Sequence, residues 1–93
     1  MYPRILQQLR ALVRQGEYVL SVHAENEMAE DGFTEEDLEA AILNGRIVRR
    51  ERNRVGRLKY VIEGVAQDGR GLTVVAQQFP TRRLVLMITA YET

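Results

Sequence analysis

The chain has no cysteine, no tryptophan, one histidine (His23) and two prolines in 93 residues. Without cysteine there is no disulfide, no thiolate zinc site and no cysteine nucleophile. One imidazole does not build a histidine-based metal centre in a monomer. No apolar run approaches the ~20 residues that span a bilayer. Met1-Tyr2-Pro3-Arg4 does not open an apolar leader. These absences lead us to expect a soluble cytoplasmic protein with no membrane association. The GxxxxGK[ST] phosphate loop, the HExxH zinc motif and the GxSxG elbow are missing too. No cofactor and no metal is therefore expected. Repeats, linkers and low-complexity tracts are absent, and the length suits one small domain over residues 1–93. So thin a core gains from dimerisation or a bound partner, so a homodimer is one reading.

Charge is present in quantity and balanced, with 13 basic and 13 acidic residues. Its distribution is lopsided. Residues 25–39 hold eight carboxylates and no lysine or arginine. Residues 46–59 hold seven cations (Arg46, Arg49, Arg50, Arg52, Arg54, Arg57 and Lys59) and one acid, Glu51. The basic segment is able to bind nucleic acid locally. The same layout also fits a dipolar surface with no ligand.

Helical signals fill the first half. Pro3 starts a helix whose Ile5, Leu6, Leu9, Leu12 and Val13 share one face, with Gly16 as its stop. Residues 17–20 are short and extended. Ser21 is an N-cap that places His23 and Ala24 in a first turn, and Gly32 ends that helix. Phe33 precedes a capping box, Thr34-Glu35-Glu36-Asp37, and is placed to staple against Leu38. Glu35, Glu36 and Asp37 sit where the helix dipole favours negative charge.

Strand signals fill the second half. Residues 47–50 read as a first strand and residues 57–64 as a second, with Leu58, Tyr60 and Ile62 on one side. Gln67-Asp68-Gly69-Arg70-Gly71 is a turn. Residues 72–79 form a third strand, and residues 83–91 a fourth, apolar enough to be interior. Strict alternation groups Leu84, Leu86, Ile88 and Ala90 on one side of it. Helices first and strands afterwards predict an α+β fold, with the helices on one face of a mainly antiparallel sheet of about four strands.

His23 has the one side chain whose unperturbed pKa lies near neutrality, so it is the candidate acid or base. The arginines offer bidentate grips for phosphate. Tyr60 and Tyr91 offer rings for base stacking, and Gln77 and Thr89 offer hydrogen bonds. Such a set suits RNA. It also suits metal-independent cleavage, in which a base takes the 2′-hydroxyl proton and a cation stabilises the phosphorane-like transition state. A polar sheet face with no ligand uses the same residue types.

The motif Ser21-x-His23-Ala24-x-x-x-Met28-x-Glu30-x-Gly32-Phe33-Thr34-x-x-Asp37-Leu38-x-x-Ala41-Ile42-x-x-Gly45 resembles the bacterial family called domain of unknown function 4258. So do Tyr60, the Asp68-Gly69-Arg70 turn and Ile88-Thr89-Ala90-Tyr91. The resemblance covers residues 18–91. Two positions differ, since Glu27 and Asp31 stand where the family pattern carries arginine. That family is similar to the RelE-like and BrnT-like toxins of bacterial toxin–antitoxin pairs. The resemblance implies a curved RelE/BrnT-like sheet and a toxin-like protein of a type II pair, an mRNA endoribonuclease or RNA-binding protein that needs no metal. Its implied partners are an antitoxin protein and RNA, including mRNA on the ribosome. The candidate catalytic set is His23, Arg57, Lys59, Gln77 and Tyr91, of which the resemblance carries His23 and Tyr91. The candidate RNA-binding set is Arg49, Arg50, Arg52, Arg54, Tyr60, Arg82 and Thr89, of which the resemblance carries Thr89. The alternative is a non-catalytic interaction module that binds a partner through its acidic helices or dimerises.

Overall fold

Helix ends follow the chemistry of their terminal residues. In the computed structural model, which describes residues 2–93 and all their side chains except that of Pro80, helix α1 spans Pro3–Arg14. Proline occupies its first turn, where a fixed φ costs nothing. Helix α2 spans Val22–Asp31. Ser21 caps it, with Oγ accepting from the Ala24 N–H at 3.0 Å. Gly32 ends it in the left-handed region, φ 73°, which glycine adopts without strain. Helix α3 spans Glu35–Asn44 and opens on a full capping box. Thr34 Oγ1 accepts from the Asp37 N–H at 3.2 Å, and Asp37 Oδ2 accepts from the Thr34 N–H at 2.9 Å. Phe33 and Leu38 are both buried in the core beside this cap.

Five strands follow the order β1-β5-β4-β3-β2. They are β1 (Tyr18–Leu20), β2 (Arg46–Arg52), β3 (Leu58–Val65), β4 (Gly71–Phe79) and β5 (Leu84–Glu92). β2 to β5 form an antiparallel meander, and β1 pairs with β5 in parallel. The α+β class holds. The expected four strands become five, and the sheet is mixed. Three residues carry too little periodicity to mark a strand; pairing of Tyr18–Leu20 with Val85–Met87 makes them one.

All three helices pack on one side of the sheet. Ile47, Ile62, Val74, Ala76, Met87 and Ala90 face them and join Leu9, Leu38 and Ile42 in the core. α3 lies directly on β3. A Cβ at Gly64 would collide with the Ala41 carbonyl, so glycine permits the close approach. Arg10 of α1 ties down the end of α3, donating to the carbonyls of Gly45 (2.8 Å) and Ile42 (3.3 Å).

Two register shifts redistribute side chains. In β5, Thr89 pairs with Val75 while Met87 pairs with Ala76, so Ile88 is an extra residue. Val85, Met87 and Ala90 therefore face the helices, and Leu84 and Leu86 face away. The expected grouping of Leu84, Leu86, Ile88 and Ala90 is broken by this bulge, because an inserted residue inverts the alternation on one side of it. In β2 a shift between Ile47 and Arg49 places Arg49 opposite Val61 and Arg50 opposite Tyr60. The shift exchanges the faces of the two arginines: strict alternation from Ile47 would put Arg49 on the helix side, whereas Arg49 lies on the free face and Arg50 on the helix side.

β1 covers only the first part of β5, and α2 covers the rest of that edge. Ser21 Oγ donates to the Ile88 carbonyl at 2.8 Å. The Ala90 N–H donates to Glu27 Oε1 at 3.0 Å, and the Glu92 N–H to Asp31 Oδ2 at 2.9 Å. Three helix side chains satisfy alternate backbone groups that a neighbouring strand would otherwise pair. Among the described residues, no helix is long and apolar enough to cross a membrane.

Candidate nucleic-acid interface

Because the helices occupy one side, the other side of the sheet is free. Strand parity places Arg46 and Arg49 of β2, Lys59 of β3, Gln77 of β4, and Thr89 and Tyr91 of β5 on that face. One row across it runs Thr89, Val75, Val61, Arg49. Val61 is 1% exposed yet stands apart from the helix-side core. Gln77 and Thr73 are also buried on this face, at 6% and 3% exposure, while Tyr91 is open at 38%. Aliphatic Leu84, Leu86 and Ile88 are half-buried beside them. The face is therefore an apolar floor with polar and cationic groups standing on it.

Arg49 is the anchored cation of the set. Its Nε lies 2.9 Å from Glu51 Oε2. That hydrogen bond raises the Arg49 pKa and lowers that of Glu51. The Glu63 carboxylate is also close enough to Arg49 to favour its charged form.

His23 sits apart, in the first turn of α2 and two-thirds exposed, with Nε2 3.3 Å from Glu27 Oε1. The same carboxylate oxygen holds the Ala90 N–H. The imidazole therefore stands at the β5 edge beside the backbone from which Thr89 and Tyr91 project to the free face. Glu27 and Asp31 are edge-pairing groups here, which explains acids at these two places without any role toward a ligand.

The other predicted residues are dispersed. Tyr60 is on the helix side, 5% exposed and packed edge-on against Tyr2, ring centroids 6.0 Å apart. Its ring has no open face for a base. Arg50 and Arg52 share that side; Arg50 covers the Tyr2 ring and Arg52 donates to the Gly56 carbonyl at 2.8 Å. Arg54 lies in the exposed β2–β3 turn, and Arg82 in the 3-10 turn Pro80–Arg82. Arg57 sits over the Phe79 ring at 5.5 Å, at the rim of the sheet. The basic segment is one run in sequence and at least three places in space. Arg46, one of the seven cations of the basic segment, is put on the free face by its pairing with Glu63.

The acidic block is largely consumed by the fold. Asp37 Oδ1 accepts from the Gln67 N–H at 3.0 Å in addition to its capping bonds. The N–H groups of Thr34 and Gln67 hold its pKa below the ordinary aspartate value. Tyr18 donates to Glu39 at 2.5 Å and to Glu35 at 3.2 Å. Burial, then the Glu39 bond, raises the Tyr18 pKa. Arg70 closes the corner between α2 and α3. It donates to the carbonyls of Asp31 (2.6 Å) and Gly32 (3.3 Å), pairs with Asp68 (2.8 Å) and lies over the Phe33 ring at 4.2 Å. Among the described residues no three histidine or carboxylate side chains gather as a metal site.

A family model described as a domain of unknown function (DUF4258) matches residues 20–92. No curated protein and no solved structure matches the chain.

Proposed function

This chain belongs to the DUF4258 family, and from that premise we propose that it is a toxin-like RNA-binding protein of a type II toxin–antitoxin pair, related in fold to RelE and BrnT, with RNA laid across the free face of its sheet. One observation carries the reading. Arg46, Arg49, Lys59, Gln77, Thr89 and Tyr91 come from four strands and share the face that no helix covers. Cations supply phosphate affinity and Tyr91 supplies an open ring for stacking.

The same arrangement supports cleavage without a metal. The 2′-hydroxyl attacks its own 3′-phosphate, and the P–O5′ bond breaks. His23, at the β5 edge, takes the 2′-hydroxyl proton. Arg49 and Lys59, three and two strands in from that edge, hold the neighbouring phosphates of the strand. Tyr91 passes a proton to the departing 5′-oxygen and recovers one from solvent. The products are a 2′,3′-cyclic phosphate and a 5′-hydroxyl. Arg57 and Arg82, at the rim, guide the strand rather than touch the reacting phosphate.

Two measurements test this reading. Expression in a bacterial host should arrest growth, and purified protein should cut single-stranded RNA in the presence of a chelator. Growth without arrest together with intact RNA would sink the toxin reading. Binding of RNA that Arg49→Ala and Lys59→Ala do not weaken would sink the choice of face. The rival, a non-catalytic interaction module, draws on the half-buried aliphatic strip Leu84, Leu86 and Ile88 on that face. It gains if the protein self-associates and leaves RNA untouched.

A further inference from the structure

On the helix side of the sheet, a cleft of about 690 Å³ runs between α1 and the adjoining ends of β3 and β4. Its wall along α1 lies outside the span that matches the family model, residues 20–92. Ile5, Ala11, Leu12 and Leu58 give it an aliphatic lining. Arg52, Arg57 and Arg83 stand around it, and its lining contains no carboxylate. None of these three arginines pairs with an acid among the described residues. Arg83 is held at φ 50°, in the left-handed region where glycine is at ease and arginine is strained. A cation is thus kept at the cleft at a place where the backbone favours glycine.

We propose that this cleft docks an acidic amphipathic helix of a partner protein. Ile5, Gln8, Ala11, Leu12 and Gln15 recur at three- and four-residue steps along α1, a stripe ~15 Å long and equal to about three helical turns. A helix laid along that stripe buries its apolar side against the aliphatic lining and turns carboxylates to the arginines, in the helix-in-groove manner. RNA is a poorer fit. The one ring of the lining, Tyr60, is buried edge-on against Tyr2 and offers no stacking face. A second copy of this chain is also a poorer fit. Its acidic helices spend their apolar residues, Ala24, Met28, Leu38, Ala41 and Ile42, in its own core. The inference does not rest on the RNA reading: the sheet lies between this cleft and the free face, and Arg57 and Gln77 are the lining residues that the two sites share.

Selection of a random peptide library against the immobilised full chain tests the proposal. The selected peptides should carry several carboxylates beside apolar residues at helical spacing. Their affinity, read by fluorescence anisotropy, should fall on the order of tenfold or more with Arg83→Gly and with Ala11→Glu. Arg83→Gly should keep a melting temperature equal to or above that of the parent, because it relieves the strained φ; binding loss without stability loss is the signature. Lys59→Glu, on the free face, should leave peptide affinity unchanged. The proposal is overturned if nothing is enriched, if the enriched peptides are neutral or basic, or if neither substitution weakens them. It is equally overturned if sedimentation shows a dimer that Ala11→Glu dissolves, or if a labelled RNA oligonucleotide loses its binding with Arg83→Gly.

Discussion

Two neighbouring segments carry opposite charge, and the fold treats them differently. In residues 25–39 most carboxylates are occupied. Glu27 and Asp31 pair the β5 edge, Asp37 holds two backbone N–H groups, and Glu35 and Glu39 hold the Tyr18 hydroxyl. In residues 46–59 one cation of seven, Arg49, has a carboxylate partner among the described residues. The reason lies in what the backbone offers. Helix starts and strand edges present spare N–H groups, and a short carboxylate satisfies them where it stands. Arginines on strands project away from the ladder and reach water or a ligand instead. Isolated arginines behave otherwise. Arg10 and Arg70 find spare carbonyls at the ends of α3 and α2 and act as structural caps. Charge blocks that look symmetric in sequence are thus one structural block and one available block.

The frame under both blocks is the contact of α3 with β3, so the largest effect is expected there. Gly64→Val pushes a side chain into the Ala41 backbone and should cost about 3–5 kcal/mol in a denaturant titration. A loss under 1 kcal/mol would mean that α3 does not seat so closely. Next comes the available block. Arg49→Ala with Lys59→Ala should weaken RNA binding on the order of tenfold or more at low salt, with a shallower salt slope and a melting temperature close to that of the parent. A fall in melting temperature as large as that of a core variant would make this block structural and break the comparison.

Thr34→Ala removes the cap of α3 and should cost about 1 kcal/mol, without effect on RNA affinity. Asp37→Asn tests the acidic block by pH. The folded pKa of Asp37 is lowered, so its contribution is complete above the ordinary carboxylate range and is lost as pH falls through the folded value. The variant should therefore be less stable near neutrality and show a flatter acid limb in melting temperature against pH. Parallel acid limbs would remove Asp37 from the account. The smallest effect belongs to Arg54→Ala, in the exposed turn, expected to change stability by less than about 0.5 kcal/mol.

Much of the helical half was legible because its signals are local. Ser21, Gly32, Thr34 and Asp37 act on residues within one turn, so cap and stop were visible in the chain. The sheet half was legible in part. The alternations of Leu58, Tyr60 and Ile62 and of Leu72, Val74 and Ala76 held, because each strand pairs along its length without insertion. The alternation across β5 did not hold, because the bulge at Ile88 depends on the register against β4. The candidate site was partly legible for the same reason. Lys59, Gln77, Thr89 and Tyr91 share a face as their parity suggests, whereas the shift in β2 exchanges the faces of Arg49 and Arg50, and the Tyr2 contact buries Tyr60.

By itself the sequence determined the class of fold, the ends of three helices and the family, since caps, turns and periodicity are short-range properties. Tertiary structure decided which charges were left over. Joining β1 to β5, covering the remaining β5 edge with α2 and assigning each arginine to a face all require pairing between residues far apart in the chain. The acids of residues 25–39 became structural because folding brought distant N–H groups within 3 Å of them, and the arginines stayed available because it brought them nothing comparable.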